Sequence, residues 1–270
     1  MPAAAEPGRS LAGRTVLAVF AHPDDESLAC GGTLARLADG GARVVLLCAS
    51  RGERGSVADP SLLDGSDLGA VRSHELSDAA AVLGVSHVIL LDHPDGDLRW
   101  SAVAELHAEI VGAIETFAPD LVITFAEDGL YWHLDHIGVH ERTLTAVKSL
   151  GDRAPALYYV TIPKGVMRAV LDSARAKVGV SASSFWGIEP EAFVEAIPAT
   201  FTIDVRDWVP RKLAALRCHR TQMGPTNPMA WIDDDDARRW LGVEYFRRSP
   251  ITAAGPDLVL ERLGESVRGS

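Results

Sequence analysis

Four short apolar runs in the first half of the chain constrain its fold most tightly. They are Thr15–Phe20 (TVLAVF), Arg43–Ala49 (RVVLLCA), His87–Leu91 (HVILL) and Leu121–Ala126 (LVITFA). Each is apolar on both faces, which suits a central strand of a parallel sheet covered by helices on either side. Helical patterns fill the gaps. Leu28, Leu34 and Leu37 fall at helical spacing over Leu28–Ala38, ahead of Gly40 and Gly41. An Ala-rich stretch over Leu68–Leu83 stops at Gly84. Val103, Leu106, Ile110, Val111 and Ile114 form one stripe over Ser101–Phe117, with Ser101 as the expected cap and Glu105 in the first turn. The order β-α-β-α-β-α-β predicts an α/β fold: a doubly wound, mostly parallel, Rossmann-like sheet with right-handed crossovers.

The second half is less regular. Ala156–Ile162 and Phe201–Val205 read as strands, Lys164–Val178 and Trp208–Gln222 as helices, and Asp233–Asp236 as a helix N-terminus. Gly179–Thr200 carries no clear pattern, and no internal repeat is present. Charge narrows the function. Asp plus Glu number 37 against 26 Lys plus Arg, a net charge of −11. A surface this acidic repels phosphate backbones, so no nucleic-acid partner is expected. No stretch approaches the ~20 apolar residues of a membrane span, and Met1–Ser10 lacks the apolar core of a signal peptide. Cys30, Cys48 and Cys218 are odd in number and widely spaced, which suits buried thiols in a reducing compartment better than a disulfide framework or a Cys-type zinc site. A cytoplasmic protein with no membrane partner is expected.

In an open α/β sheet, ligands bind beyond the carboxyl ends of the strands. After the first strand comes Ala21-His22-Pro23-Asp24-Asp25-Glu26, with four titratable side chains in five positions. Burying them costs several kcal/mol unless a cation compensates. His22 and Asp25 offer an imidazole and a carboxylate suited to zinc, leaving Asp24 beside the metal as a base. Taken alone, the same residues are an Asx turn with helix caps. After the fourth strand come His133, Asp135 and His136, and then His140. Strands one and four are neighbours in a doubly wound sheet, so His22/Asp25 and His133/Asp135/His136 are expected to converge, and convergence favours a metal centre. His136 and His140 stand at i, i+4, but His136-Ile137-Gly138-Val139-His140 lacks the Glu of H-E-x-x-H, so His140 reads as a residue behind the ligands or on the surface. The loop Ser50–Gly55 is neither G-x-G-x-x-G nor a P-loop. The turn Asp92–Asp97 could present a carboxylate to a polar ligand.

AHPDDE after the first strand and H-x-D-H after the fourth resemble the LmbE-like (PIG-L) zinc-dependent N-deacetylases. The resemblance continues through Arg51-Gly52-Glu53-Arg54-Gly55, Arg72-x-x-Glu75 with Ala79-Ala80 and Leu83-Gly84, Asp95-Gly96-x-Leu98, and Lys212, His219 and Gln222. It covers roughly residues 14–225 of a single expected domain, 1–270, with 226–270 as a C-terminal extension. The resemblance implies that His22, Asp25 and His136 hold zinc, or iron(II), and that Asp24 is the general base. It implies that His133 is the electrophile or acid, oriented by Asp135, and that Tyr131 matches a mobile tyrosine of the family. Arg72 and Asp95 match positions that hold sugar hydroxyls. Trp132 and Leu134 stand where relatives commonly carry Gly and Pro, which implies a reshaped pocket mouth. The implied reaction is hydrolysis of the acetamide of a small-molecule N-acetylglucosamine-type conjugate, releasing acetate and a free amine. Two other readings are an amidase acting on a different conjugate (a thiol conjugate or an acylated antibiotic sugar) and a non-catalytic Rossmann-like binding module. The missing phosphate-binding glycine loop speaks against the last. Neither the oligomeric state nor the group attached to the sugar follows from the sequence.

Overall fold

The four apolar runs pair as parallel strands in a computed structural model that describes residues 11–179, 182–251 and 260–266. They form β1 (Thr15–Phe20), β2 (Arg43–Cys48), β3 (His87–Leu90) and β4 (Leu121–Phe125). Beyond Thr15 every residue of β1 is buried, as a strand covered on both faces requires. Between them run α1 (Asp25–Asp39), α2 (Leu68–Leu83) and α3 (Val103–Phe117). Among the described residues the sheet has the order β3-β2-β1-β4-β5-β7-β6-β8, with β5 (Ala156–Thr161), β6 (Phe201–Asp204), β7 (Val243–Arg248) and β8 (Glu265–Ser266). β1 pairs with β2 on one side and β4 on the other. The chain therefore leaves β1 in one direction and returns beside it in the other. This reversal opens a crevice at the carboxyl ends of β1 and β4, where α/β sheets place their ligands.

The doubly wound half matches expectation, but other elements differ. Ser101 does not cap α3: the residue before the helix is Ala102, at φ 48°, and no side chain caps it. Ser101 instead closes a turn, its N–H donating to the carbonyl of Asp97 at 2.8 Å. A short helix, α4 (Gly129–Trp132), and a long one, α5 (Leu134–Ser149), follow β4, and α5 carries both His136 and His140. The helix expected over Lys164–Val178 is α6 (Val166–Val178), and the one expected over Trp208–Gln222 is shorter, α7 (Val209–Cys218). The segment after residue 225 supplies α8 (Asp234–Trp240) and β7, and β7 lies between β5 and β6, antiparallel to both. It therefore builds part of the sheet interior.

β7 also fastens the helices behind the crevice. α1 bends at Cys30, whose φ of −149° is not helical, and the bend frees backbone N–H groups. Glu244 of β7 takes them up, accepting from Gly32 at 2.9 Å and Thr33 at 2.8 Å. Its charge is met by Lys212 of α7, with Nζ 2.6 Å from Oε1, and both side chains are buried. No helix among the described residues is long and apolar enough to cross a membrane.

Candidate metal centre

His22, Asp25 and His136 meet where β1 and β4 end. His22 and Asp25 sit on the turn from β1 into α1, and the His22 backbone N–H donates to Asp25 Oδ2 at 2.8 Å. His136 projects from the first turns of α5. Its Nδ1 donates to the carbonyl of Gly129 at 3.0 Å, so its Nε2 keeps a lone pair. Gly129 is required here: its φ is +56°, and an added Cβ would lie 2.8 Å from the Cβ of His136. His22 Nε2 lies 3.1 Å from Asp135 Oδ2 and 3.1 Å from Asp95 Oδ1. A neutral His22 therefore carries its proton on Nε2 and keeps its lone pair on Nδ1.

The two lone pairs face each other. His22 Nδ1 is 3.3 Å from His136 Nε2, Asp25 Oδ1 is 3.2 Å from the same Nε2, and Asp25 Oδ2 is 3.5 Å from His22 Nδ1. With both imidazoles neutral, three buried electron-rich donors converge with no proton between them, an arrangement that repels itself unless a cation, a proton or a metal ion, joins them. A tetrahedron whose corners lie ~2.0–2.1 Å from a central zinc has edges of about 3.3 Å, so the spacing fits. The surroundings ask for positive charge too. Burial opposes a charge on His22, yet hydrogen bonds to Asp135, Asp25 and Asp95 outweigh it and raise its pKa well above the ordinary value.

Asp135 does not face His133 as the sequence suggested. Its carboxylate accepts from Gly96 N–H at 2.6 Å and Leu98 N–H at 2.9 Å and bears on His22. It is the backbone N–H of Asp135 that reaches His133, donating to Nδ1 at 3.3 Å in a helix cap, which leaves the ring proton of His133 on Nε2. Burial and the neighbouring His136 and His22 push the pKa of His133 down to about 4. One ring nitrogen each of His22, His133 and His136 lie within 4.8 Å of one another. Carboxylates that orient a metal-ligating imidazole typically alter metal affinity 10–100-fold when changed. Asp135→Asn is therefore expected to weaken metal binding by about that factor, measured by competition with a chromophoric chelator.

Asp24 stands beside the three donors in a strained backbone, φ 116°, ψ −24°. Several contacts hold it there. Its N–H donates to Glu26 Oε2 at 3.1 Å, and Glu26 is in turn braced by Ser27 Oγ at 2.5 Å and His219 Nε2 at 2.9 Å. Arg72 Nη2 reaches Asp24 Oδ2 at 3.2 Å and also donates to the carbonyl of Pro23. Burial pushes the Asp24 carboxyl up to about 6, against the pull of Arg72. Gly52 makes room for that guanidinium, since a Cβ on it would sit 2.3 Å from Arg72 Nη1.

A cleft opens over these groups, lined by His22, Asp24, Asp25, Arg72, Asp95, Tyr131 and His133 among others. All nine residues singled out from the sequence are thus in or around one site, although Arg72 spends its bonds inside the protein and Asp95 bears on His22. His140 lies behind the ligands, buried, with Nδ1 donating to Phe125 O at 2.9 Å. Trp132 and Leu134 are exposed, at 58% and 48%, beside rather than within the lining.

A family model described as PIG-L, GlcNAc-PI de-N-acetylase, matches residues 17–147. The chain is also 33% identical over 263 residues to the 1D-myo-inositol 2-acetamido-2-deoxy-alpha-D-glucopyranoside deacetylase of Acidothermus cellulolyticus, covering 86% of this chain and 88% of the relative. The chain belongs to the PIG-L family. Among solved structures, this PIG-L chain is similar in fold to the N,N'-diacetylchitobiose deacetylase of Pyrococcus horikoshii, with a TM-score of 0.58, 22% identity, and coverage of 92% of this chain and 88% of that one. It is similarly close to GalB, a 4-carboxy-2-hydroxymuconate hydratase of Pseudomonas putida, with a TM-score of 0.61, 20% identity, and coverage of 90% and 99%. The fold therefore hosts more than one chemistry, and the reaction must be read from the site.

Sequence reasoning missed several members of the PIG-L site. Asp128 is buried and accepts from Leu130 N–H at 3.0 Å and Ala196 N–H at 2.7 Å, tying the segment around residue 196 to the loop after β4. That segment carries Trp186 and Ile188 to the wall of the cleft. No motif marks them, because they lie where the sequence shows no periodicity.

Proposed function

We propose that this PIG-L protein hydrolyses the acetamide of an N-acetyl amino-sugar conjugate, releasing acetate and a free amine. The observation that carries the reading is the convergence of His22 Nδ1, Asp25 and His136 Nε2 at 3.2–3.5 Å with a strained, buried carboxylate, Asp24, beside them. The donor set suits zinc, with iron(II) as the other ion it accepts. A bound divalent metal supplies a Lewis acid that activates water and polarises the amide carbonyl.

The chain's own residues do the rest. Asp24, accepting when ionised, takes the proton of the attacking water, and Arg72 fixes the carboxylate for that task. His133, neutral with its proton on Nε2, donates to the amide oxygen as charge develops there. Asp24 then passes its proton to the departing amine. Tyr131 lines the cleft beside His133, with ring centroids 5.7 Å apart, and adds a wall on the acetyl side. Asp95 contributes a second carboxylate to the rim that receives hydroxyls. The curated relative's substrate, an N-acetylglucosamine joined to inositol, is of the class this cleft suits.

The test is amine release from a panel of N-acetyl sugars and their glycosides by metal-loaded protein, with N-acylated thiol conjugates alongside. Release from the glycosides, abolished by chelator and restored by metal, is the expected result. Metal-loaded protein that frees amine from thiol conjugates alone would transfer the function to another amide, and no release from any acetamide would remove it.

A further inference from the structure

We infer that Trp186 is a specificity-determining residue: its indole forms a platform for an uncharged ring attached to the amino sugar, so the preferred substrate has at least two rings. The inference rests on the amino-sugar reading above and specifies the part of the substrate that departs with the amine.

Trp186 occupies a position that its residue type resists. Phe185 and Ile188 exchange two backbone hydrogen bonds, Phe185 N–H to Ile188 O at 2.9 Å and Ile188 N–H to Phe185 O at 2.7 Å. The two residues between them, Trp186 at φ 52° and Gly187 at φ 83°, both lie in the left-handed region. This is a two-residue hairpin turn of type I′, whose first central position favours Asn, Asp or Gly. A tryptophan there is strained. The indole N–H is in addition buried with no partner among the described residues. Both costs fall on one residue, and that residue lines the catalytic cleft. Strain of this kind concentrates at functional sites.

The turn is also held in register with the reacting groups. A relay of ring contacts joins Trp186 to Phe185 (centroids 6.3 Å apart), Phe185 to Phe193 (5.9 Å), Phe193 to Tyr131 (5.0 Å) and Tyr131 to His136 (5.2 Å). Ala196 N–H on buried Asp128 ties the far end of the segment to the loop that carries Tyr131. An aromatic side chain is thus tied through packed rings to Tyr131 and His136.

The lining chooses the ring's chemistry. Trp186 and Ile188 present apolar surface, while Ser56 and Gln222 add polar groups to the same cleft. A sugar or cyclitol ring, with carbon-bound hydrogens on its faces and hydroxyls at its rim, meets both. An anionic ring does not fit, because the lining holds Asp24, Asp25 and Asp95, and its cation, Arg72, is committed to Asp24, Pro23 O and Gly52 O.

Trp186→Asn tests this directly, because Asn is favoured in a type I′ turn. The variant is expected to unfold at the same temperature as the parent or higher. Its ratio of kcat/KM on a neutral two-ring N-acetylglucosaminide to that on N-acetylglucosamine is expected to fall about five- to tenfold, mostly through KM, and Trp186→Phe should keep most of the ratio. Calorimetry with the free-amine two-ring product gives a reading without turnover, and its Kd should weaken by a similar factor. An unchanged ratio and Kd in Trp186→Asn would overturn the platform. So would a lowered unfolding temperature with both substrates equally affected, which marks a structural residue. If the parent protein deacetylates neither substrate, the reaction reading fails, and the calorimetric arm still decides the platform.

Discussion

A His136→Ala chain is expected to purify without its metal and to lose activity by more than about 10³-fold, since the Lewis-acid contribution amounts to several kcal/mol. The geometry behind this is specific. His136 Nε2 is the donor nearest both other ligands, at 3.3 Å from His22 Nδ1 and 3.2 Å from Asp25 Oδ1. Removing it leaves an imidazole and a carboxylate on one turn, which do not close a site. His140, one helical turn on, is not placed to substitute: its ring packs on Tyr159 with centroids 4.9 Å apart, and it belongs to neither group of converging donors among the described residues. Metal analysis after dialysis checks the first half, and amine release checks the second. Full metal occupancy in the variant would move the third ligand to His133, whose ring nitrogen also lies within 4.8 Å of the group.

Asp24→Asn is expected to show the opposite separation. It should retain metal at the parent's stoichiometry and lose about 10²–10⁴-fold in kcat, the usual worth of a positioned general base. Asn keeps the size of Asp and can still accept from Arg72, so the strained turn at φ 116° has the same contacts to hold it. What it loses is the ability to take a proton. Side-by-side measurement of bound metal and single-turnover rate distinguishes the outcomes. A metal-free Asp24→Asn protein would make Asp24 a ligand, and an unchanged rate would pass the base's role to another group.

Much of this was legible in the sequence because two rules of sheet architecture act on short motifs. Apolar runs such as TVLAVF and LVITFA fit only strands covered on both faces, and a doubly wound order makes β1 and β4 neighbours. From those two facts the turn after Phe20 and the loop after Phe125 had to meet, and His22, Asp25 and His136 with them. The direction of Asp135 was not legible. Its side chain and its backbone N–H serve two different histidines, and only the N-terminal turn of α5 decides which serves which. β7 escaped because Val243–Arg248 alternates buried with partly exposed positions and ends in two arginines, so nothing in it reads as the interior strand it is. Trp186 escaped for a stronger reason. Phe185-Trp186-Gly187-Ile188 puts a bulky residue where a type I′ turn wants Asn or Gly, so local preference argues against the conformation that tertiary packing imposes.

The most direct test of a shared cation is anomalous diffraction from crystals of the zinc-loaded protein. One peak is expected at about 2.0–2.2 Å from His22 Nδ1, Asp25 and His136 Nε2 together. The opposite face of the same imidazole offers a rival: His22, Asp95 and Asp135 also bring donor atoms within 4.8 Å of one another. A peak on that side, bound through His22 Nε2 and away from His136, would contradict the proposed centre and the chemistry built on it.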